Sequence, residues 1–258
     1  MKRHVLSLAL LLLMAGGTGL IKAQKSQNYL YEVPSRPWEE SFGNHRAVLQ
    51  IEKPAQVVTL DFEWRRPDKD VDNKRFLIIH AATGDTVRNI RRMEVNNEHC
   101  RLQFGPVEKE GTYYFYYLPY RVQTGYGFYG GGYLPKESTP DTTWLIQAQT
   151  TRRNPQATVV KVEARQAFDS FYPMEIASTA KEKENYINRN KAALYLFAED
   201  RRYPIRMRND LPTKWLTHKQ GELFRGEAAP NEYYTFQIGV WAAGNKADRI
   251  GYQASSLR

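Results

Sequence analysis

The stretch AVLQIEKPAQVVTLDFEWRRP, residues 47–67, decides the fold class because it contains two short strand patterns separated by a break. The first pattern covers residues 48–51, and the break falls at Lys53-Pro54, since proline cannot donate to a sheet ladder. In the second pattern, residues 57–64, every second residue from Val58 to Trp64 is apolar. A period of two with one largely polar face predicts an antiparallel strand that is buried on one side.

Similar patterns continue outward from this stretch to residue 168. Further strands are predicted in RFLIIHAATGDTV (75–87), HCRLQFGPV (99–107), GTYYFYYLPY (111–120), TTWLIQAQT (142–150) and ATVVKVEARQAF (157–168). About eight short strands, with no long helix between them, are typical of an antiparallel β-sandwich. The predicted fold class is therefore all-β.

The predicted organisation has four regions: 1–23, 24–175, 176–200 and 201–258. Residues 24–175 hold the β-sandwich. Thr179 followed by Glu182 is a capping-box pattern, which predicts a short, mostly exposed connector helix over residues 179–190. Strands are predicted beyond it near 194–197 and 205–208, up to 224, and over 233–241. Because three or four strands are too few to close a sandwich, residues 201–258 are expected to form an incomplete second β-sandwich.

Residues 1–23 have the pattern of a secretory signal peptide. The basic residues Lys2 and Arg3 precede an apolar run from Val5 to Met14, which is too short to span a bilayer. An uncleaved membrane anchor is the alternative. Cleavage after Ala23 would give an exported protein, periplasmic or extracellular, with no membrane span.

Charge and cysteine content limit the possible functions. Loss of residues 1–23 lowers the net charge from +9 to +6, and Lys and Arg are scattered, so nucleic acid is not an expected partner. Cys100 is the single cysteine; no intrachain disulfide is possible, and a buried structural thiol is expected. The sequence has neither paired-histidine metal spacing nor a nucleophile elbow, so no catalytic residue, metal or cofactor is predicted.

The segment from Gly111 to Pro135 holds ten of the 33 aromatic residues of the chain. Residues 113–117 are predicted to be core, because large aromatics at strand period usually pack. Residues 124–135 contain five glycines and are predicted to form a loop. The G-x-G-x-x-G pattern in this loop is rejected as a dinucleotide site, because no helix can follow it. The loop either presents a glycan platform or plugs one end of the sandwich; its candidate carbohydrate-binding residues are Tyr126, Phe128, Tyr129 and Tyr133.

The stretch RGEAAPNEYYTFQIGVWAA, residues 225–243, carries a family resemblance, through Glu232, Tyr233, Phe236, Gln237 and Gly239. GNHRAVLQIEKPA, GTYYFYYLPY, AFDSFYPMEI and EDRRYPIRM add to it. Together they resemble the N-terminal, non-catalytic β-sandwich region of glycoside hydrolase family 123-like proteins of Bacteroidetes.

The resemblance implies that a catalytic (β/α)₈ barrel follows the sandwich, with an adjacent Asp-Glu pair for substrate-assisted hydrolysis of N-acetylhexosaminides. In this sequence no Asp is followed directly by Glu, and there is no room for a barrel of about 250 residues. The chain is therefore expected to be the leading part of such a protein: a truncated product, a fragment or an accessory module.

Three functional hypotheses follow. In the first, the chain is a structural or weakly carbohydrate-binding accessory module. In the second, it is an exported enzyme with two opposed carboxylates about 5–10 Å apart. In the third, it is an interaction module that joins a missing or separately encoded barrel, and the two together form a glycosidase similar to an N-acetylhexosaminidase. The expected partners are a glycan and a catalytic barrel.

Overall fold

The computed structural model describes residues 29–125, 128–217, 223–243, 251 and 253. The predicted signal peptide and Tyr126 lie outside the described residues. The helices are α1, Thr142–Thr150, and α2, Ala180–Asn190, with short 3-10 helices at Glu40–Phe42, Val71–Asn73, Ala167–Asp169 and Thr213–Thr217. The strands are β1 Leu30–Glu32, β2 His45–Ile51, β3 Val58–Phe62, β4 Phe76–His80, β5 Thr86–Val87, β6 Asn89–Val95, β7 Cys100–Gly105, β8 Gly111–Tyr117, β9 Tyr120–Gly125, β10 Phe128–Tyr133, β11 Gln156–Ala164, β12 Leu194–Asp200 and β13 Phe236–Ala242.

The predicted β-sandwich is confirmed, and β11 is the strand that joins its two layers. One layer has the order β5-β4-β8-β2-β11, with β1 beside β11, and the other has the order β11-β3-β7-β6. The first two residues of β11 pair in parallel with β3, and residues 158–164 pair with β2 in the antiparallel sense. The layers face each other, because the ring of Phe62 on β3 lies 6.2 Å from that of Tyr117 on β8.

The aromatic strand β8 contributes to both faces of its sheet. Tyr113, Phe115 and Tyr117 are buried in the core between the layers. On the opposite face, Tyr116 is buried beneath the N-terminal segment, with the rings of Trp38 and Phe42 at 5.7 and 5.0 Å. The prediction that residues 113–117 belong to the core is confirmed for Tyr113, Phe115 and Tyr117. On the second face Tyr116 is covered by the N-terminal segment, and Tyr114 is only half-buried.

Residues 142–150 form α1 and not the predicted strand. The carboxylate of Asp141 accepts a hydrogen bond from the backbone N–H of Trp144 (2.9 Å) and so caps the helix. The indole N–H of Trp144 then donates to the carbonyl oxygen of Gln56 (2.7 Å), and the ring packs on Val57. This cap and this tertiary contact outweigh the strand propensity of the segment.

The predicted loop at residues 124–135 is also wrong, because residues 128–133 form β10. This strand pairs with β9 in an antiparallel hairpin, with Tyr133 opposite Tyr120. A ladder needs only backbone groups, so glycines are tolerated in it. At one of them the backbone approach is close, since a Cβ at Gly131 would lie 3.0 Å from the carbonyl oxygen of Arg121.

The C-terminal part of the described chain has a small core of its own. The capping box of α2 is confirmed: the backbone N–H of Glu182 donates to the Thr179 hydroxyl (3.1 Å), and the Glu182 carboxylate accepts from the N–H of Thr179 (2.9 Å). The helix is mostly exposed, but Tyr186 anchors it against the β12–β13 ribbon. Arg65 donates to Glu182 at 2.9 Å and so links the helix to the sandwich.

The strand predicted at 205–208 is absent, and β12 pairs directly with β13. Of the strand predicted to end at 224, the structure describes only residues 223 and 224, which are not in a strand. The predicted domain boundaries remain predictions. None of the helices in the described part of the chain has both the length and the apolar composition needed to cross a membrane.

Candidate functional site

A cavity of about 430 Å³ lies where one end of the sandwich meets the C-terminal core. It is lined by residues from six segments: 44–45, 66–68, 117–120, 133, 171–175 and 206–210. The volume falls in the range of about 300–1,000 Å³ that is usual for ligand sites. The cavity is therefore the place at which to examine the predicted binding residues.

Tyr133, at the end of β10, lines this cavity and is 47% exposed. Its hydroxyl donates to the Asp68 carboxylate (3.0 Å), and the ammonium of Lys74 lies 3.8 Å from the ring centroid. Burial of the hydroxyl, together with the charge of Asp68, raises the pKa of Tyr133 to about 12. The ring is thus held in one orientation, and its hydroxyl stays protonated at neutral pH.

The other three predicted residues are not placed in the cavity by the structure. Tyr126 lies outside the described residues, and for Phe128 and Tyr129 the structure describes the backbone of β10 alone. Their role stays a prediction. The hairpin instead adds Tyr120, which pairs with Tyr133 across β9 and β10 and also lines the cavity. Its strand position opposite Tyr133 was not apparent from the sequence, because the segment was interpreted as a loop.

Arg66 and Asp68 form an ion pair in the cavity wall, with the guanidinium Nε 2.9 Å from the carboxylate. Burial acts to raise the pKa of Asp68, but the charge of Arg66 and the hydrogen bond from Tyr133 outweigh it, and the pKa is lowered. Burial acts to lower the pKa of Arg66, yet the negative charge of Asp68 leaves it raised. Both groups are therefore charged at neutral pH, and the pair presents fixed polar atoms beside the aromatic rings.

His45 and Glu175 form a second polar pair that the sequence did not indicate. The His45 Nε2 atom lies 2.6 Å from the Glu175 carboxylate, and both side chains are buried. Burial acts to raise the pKa of Glu175, but the contact with His45 lowers it further than burial raises it. Glu175 is therefore ionised, and it is committed to its partner.

These charge states limit the part that Asp68 and Glu175 can take as proton donors. Glycoside hydrolysis by two carboxyl groups requires one group whose raised pKa lets it donate a proton near neutral pH. The pKa values of Asp68 and Glu175 are both lowered. Asp169 has a pKa that burial raises, but it is not among the lining residues. A third lining carboxylate, Asp210, lies 3.5 Å from the ammonium of Lys183. The cavity can supply hydrogen bonds and ring contacts.

The described residues contain no candidate metal site, because no group of three or more His, Cys, Asp or Glu side chains among them is placed to hold an ion. Cys100 is fully buried, and burial raises the pKa of its thiol, as a structural role requires.

Residues 36–165 match the family described as Glycoside hydrolase 123, N-terminal domain. The match spans 130 of the 258 residues and runs from before β2 to the end of β11, so it covers both layers of the sandwich except β1. It does not include residues 225–243, whose pattern suggested the resemblance, nor the cavity segments 171–175 and 206–210. No curated protein and no solved structure matches the chain.

Proposed function

Because the chain belongs to the family of the glycoside hydrolase 123 N-terminal domain, we propose that it is a non-catalytic accessory module of an exported glycoside-hydrolase-like protein, and that its cavity contacts a glycan. The observation that carries the proposal is the family match from β2 to β11, which spans both layers of the sandwich. The geometry of the cavity adds the reasons for the two finer parts, the absence of catalysis and the contact with carbohydrate.

The lack of catalysis rests on the carboxyl groups. The two carboxylates described above, Asp68 and Glu175, are held in the charged form by Arg66 and His45. A group that is already ionised and paired is a poor proton donor to a leaving glycosidic oxygen. Chemistry in such a protein is therefore assigned to a barrel, on the same polypeptide or on another.

The glycan contact rests on the mixture of groups in the cavity. Tyr133, Tyr120 and Tyr117 supply ring surfaces, while Arg66 and Asp68 supply a donor and an acceptor. Clefts that bind small molecules combine apolar walls with a few fixed polar atoms, and a sugar offers both kinds of surface. Since one side of the Tyr133 ring is occupied by Lys74, we expect the contact to be weak.

The alternative function, a glycosidase completed by a separate barrel, is favoured by one surface. The outer face of the β12–β13 ribbon exposes Leu196, Phe236, Ile238 and Val240, each at least 40% accessible to solvent. Exposed apolar faces of this kind often mark interaction sites. A barrel seated there would join the module to a catalytic domain.

Export is part of the same proposal, and it is supported by the basic residues and the short apolar run at the N-terminus. The mature protein in its native host should begin near Gln24 and be found in the periplasm or outside the cell. N-terminal sequencing of protein purified from each cell fraction checks this, and cytoplasmic protein that begins at Met1 would contradict it.

The binding and catalytic parts are tested together on the purified chain 24–258. We expect weak, saturable retention of N-acetylhexosamine oligosaccharides on a glycan array or in affinity electrophoresis, and no hydrolysis of aryl N-acetylhexosaminides. Tyr133→Ala should abolish retention without a large change in melting temperature. Tyr233→Ala is the matched control, because Tyr233 is 96% exposed and lies outside the cavity.

Two results would reverse the proposal. If Tyr133→Ala lowers the melting temperature and neither form retains a glycan, the hairpin residue plugs the sandwich and does not bind. If the wild type turns over an aryl glycoside, and one carboxylate substitution removes an activity that survived repurification, the chain is an enzyme.

A further inference from the structure

The outer face of the β11-β3-β7-β6 layer carries a row of polar side chains, one from each strand. Gln156 pairs with Thr59, Thr59 pairs with Gln103, and Gln103 pairs with Arg91. Leu60 and Leu102, the sequence neighbours of Thr59 and Gln103, are fully buried in the core, so the row lies on the opposite face of the sheet. On that face Gln156 is exposed and Arg91 is partly exposed, whereas Thr59 and Gln103 are only 5% and 6% exposed. Three inter-strand steps of about 4.8 Å make the row about 14 Å long.

A groove of about 530 Å³ lies between this row and the C-terminal end of α1. Its lining includes four arginines: Arg91, Arg101, Arg152 and Arg153. Among the described residues that line it there is no Asp or Glu and no aromatic side chain. The groove is therefore a concave surface that offers hydrogen-bond donors and positive charge.

The arginines of this groove are only partly committed within the protein. The guanidinium of Arg91 donates to the amide oxygen of Gln103 (2.7 Å), and Arg101 lies 3.7 Å from Asp61. Arg152 and Arg153 are exposed, and no hydrogen bond or ion pair joins them to the described part of the chain. The guanidinium groups of Arg152 and Arg153 therefore line the groove beside the polar row, whose member Gln103 is only 6% exposed.

We propose that this groove binds an anionic polysaccharide, whose sulfate or carboxylate groups pair with the arginines and whose hydroxyls bond to the exposed amides of Gln149 and Gln156. Guanidinium groups bind planar or tetrahedral anions through two parallel N–H donors, and these bonds are stronger than neutral ones. The exposed amide side chains of Gln149 and Gln156 suit the neutral hydroxyls between the charged groups. The length of the row fits an oligosaccharide better than a single small anion.

The choice of a glycan over a nucleic acid has two reasons. Single-stranded nucleic acids are held by aromatic side chains on which the bases stack, and the described lining has none. The second reason rests on the proposed function, in which the module serves a carbohydrate-active protein. The site itself is separate from the cavity at Tyr133, because the two share no lining residue.

The test measures binding of the chain 24–258 to chondroitin sulfate by affinity electrophoresis and titration calorimetry at low salt. Polygalacturonate carries only carboxylates, so its binding separates recognition of carboxylate from recognition of sulfate. Dextran serves as the neutral polysaccharide, and single-stranded DNA serves as the polyanion that is not a glycan. We expect Arg152→Gln/Arg153→Gln to weaken binding of an anionic glycan about tenfold or more. Arg91→Gln should weaken it as well.

The matched control is Lys53→Gln/Lys181→Gln, which removes the same charge from two exposed positions outside the groove. This variant should bind like the wild type. An equal loss in the control, equal binding of DNA, or no binding of either anionic glycan would overturn the proposal. Circular dichroism and melting curves check that each arginine variant is folded, so that a loss of binding reports on the groove.

The outcome is distinguishable from that of the proposed function. Tyr133→Ala should leave chondroitin sulfate binding unchanged, because Tyr133 does not line the groove. A wild type that binds chondroitin sulfate but retains no neutral N-acetylhexosamine oligosaccharide would exclude the cavity as a glycan site and leave the groove proposal standing.

Discussion

Replacing Phe115 by alanine tests whether the aromatic strand β8 holds the two layers of the sandwich together. The side chain of Phe115 is fully buried, and its ring lies 5.3 Å from that of Phe76 and 5.6 Å from that of Tyr117. Removal of a buried phenyl ring that cannot be refilled costs about 3–5 kcal/mol. At about 2–4 °C per kcal/mol for a chain of this size, the melting temperature should fall by roughly 6–20 °C.

Two companion variants make this measurement specific. Phe115→Leu keeps much of the buried volume and should cost about 1.5 kcal/mol or less. Tyr133→Ala removes a ring that is 47% exposed, so its cost should be about 1 kcal/mol, mostly through the lost bond to Asp68. Urea unfolding followed by tryptophan fluorescence and far-ultraviolet circular dichroism gives all three values. A loss for Phe115→Ala no larger than that for Tyr133→Ala would refute the packing argument.

Three further outcomes follow from single groups. A Cβ at Gly239 would lie 2.2 Å from the buried ring of Trp215, so Gly239→Ala should destabilise the C-terminal core by about 1–3 kcal/mol. Urea unfolding measures this change, and an unchanged midpoint would contradict the contact. The Asp169 Oδ2 atom is buried without a hydrogen-bond partner, and burial raises the pKa of its carboxyl above the ordinary 3.8. The free energy of unfolding should therefore fall as the pH rises from 3.8 through the raised pKa of the folded state. Asp169→Asn should therefore raise the melting temperature at pH 7 and not at about pH 3, and equal shifts at both values would exclude a buried charge. Contact with His45 lowers the pKa of Glu175 below 4.5, so the ionised carboxylate stabilises the fold above that pH and loses this effect as the pH falls through its folded-state pKa. Glu175→Gln should therefore be less stable than the wild type at pH 7, and the difference in stability should disappear in acid.

The sandwich was predictable because its signal is local. Alternation along residues 57–64 places Leu60 and Phe62 in the core, as the sequence indicates. The errors arise where a local preference meets a non-local contact. The segment 142–150 is rich in strand formers, yet its Asp141 cap and the bond from Trp144 to Gln56 make it a helix. Asp141 before a threonine pair is the signal that could have indicated a helix start.

The candidate cavity was not predictable to the same degree. Tyr133 was singled out for its chemistry, and it does line the cavity. Its partners Asp68 and Lys74, and the pair of His45 with Glu175, come from distant parts of the sequence. No periodicity connects such residues, because only the sandwich topology brings these strand ends together with the segment at 206–210. The binding role of Tyr126, Phe128 and Tyr129 remains a prediction.

The division of β11 between the two layers has a consequence for the order in which the chain can fold. Its pairing partners β2 and β3 lie about a hundred residues earlier in the sequence, and β1 lies earlier still. Until residue 156 has been synthesised, β2 and β3 each keep an open edge of unpaired N–H and C=O groups. Contacts of such long sequence separation form slowly, because a large loop must close first. We therefore expect the nascent chain to need protection from edge-to-edge association until β11 is available, and any expression unit that ends before Ala164 to aggregate.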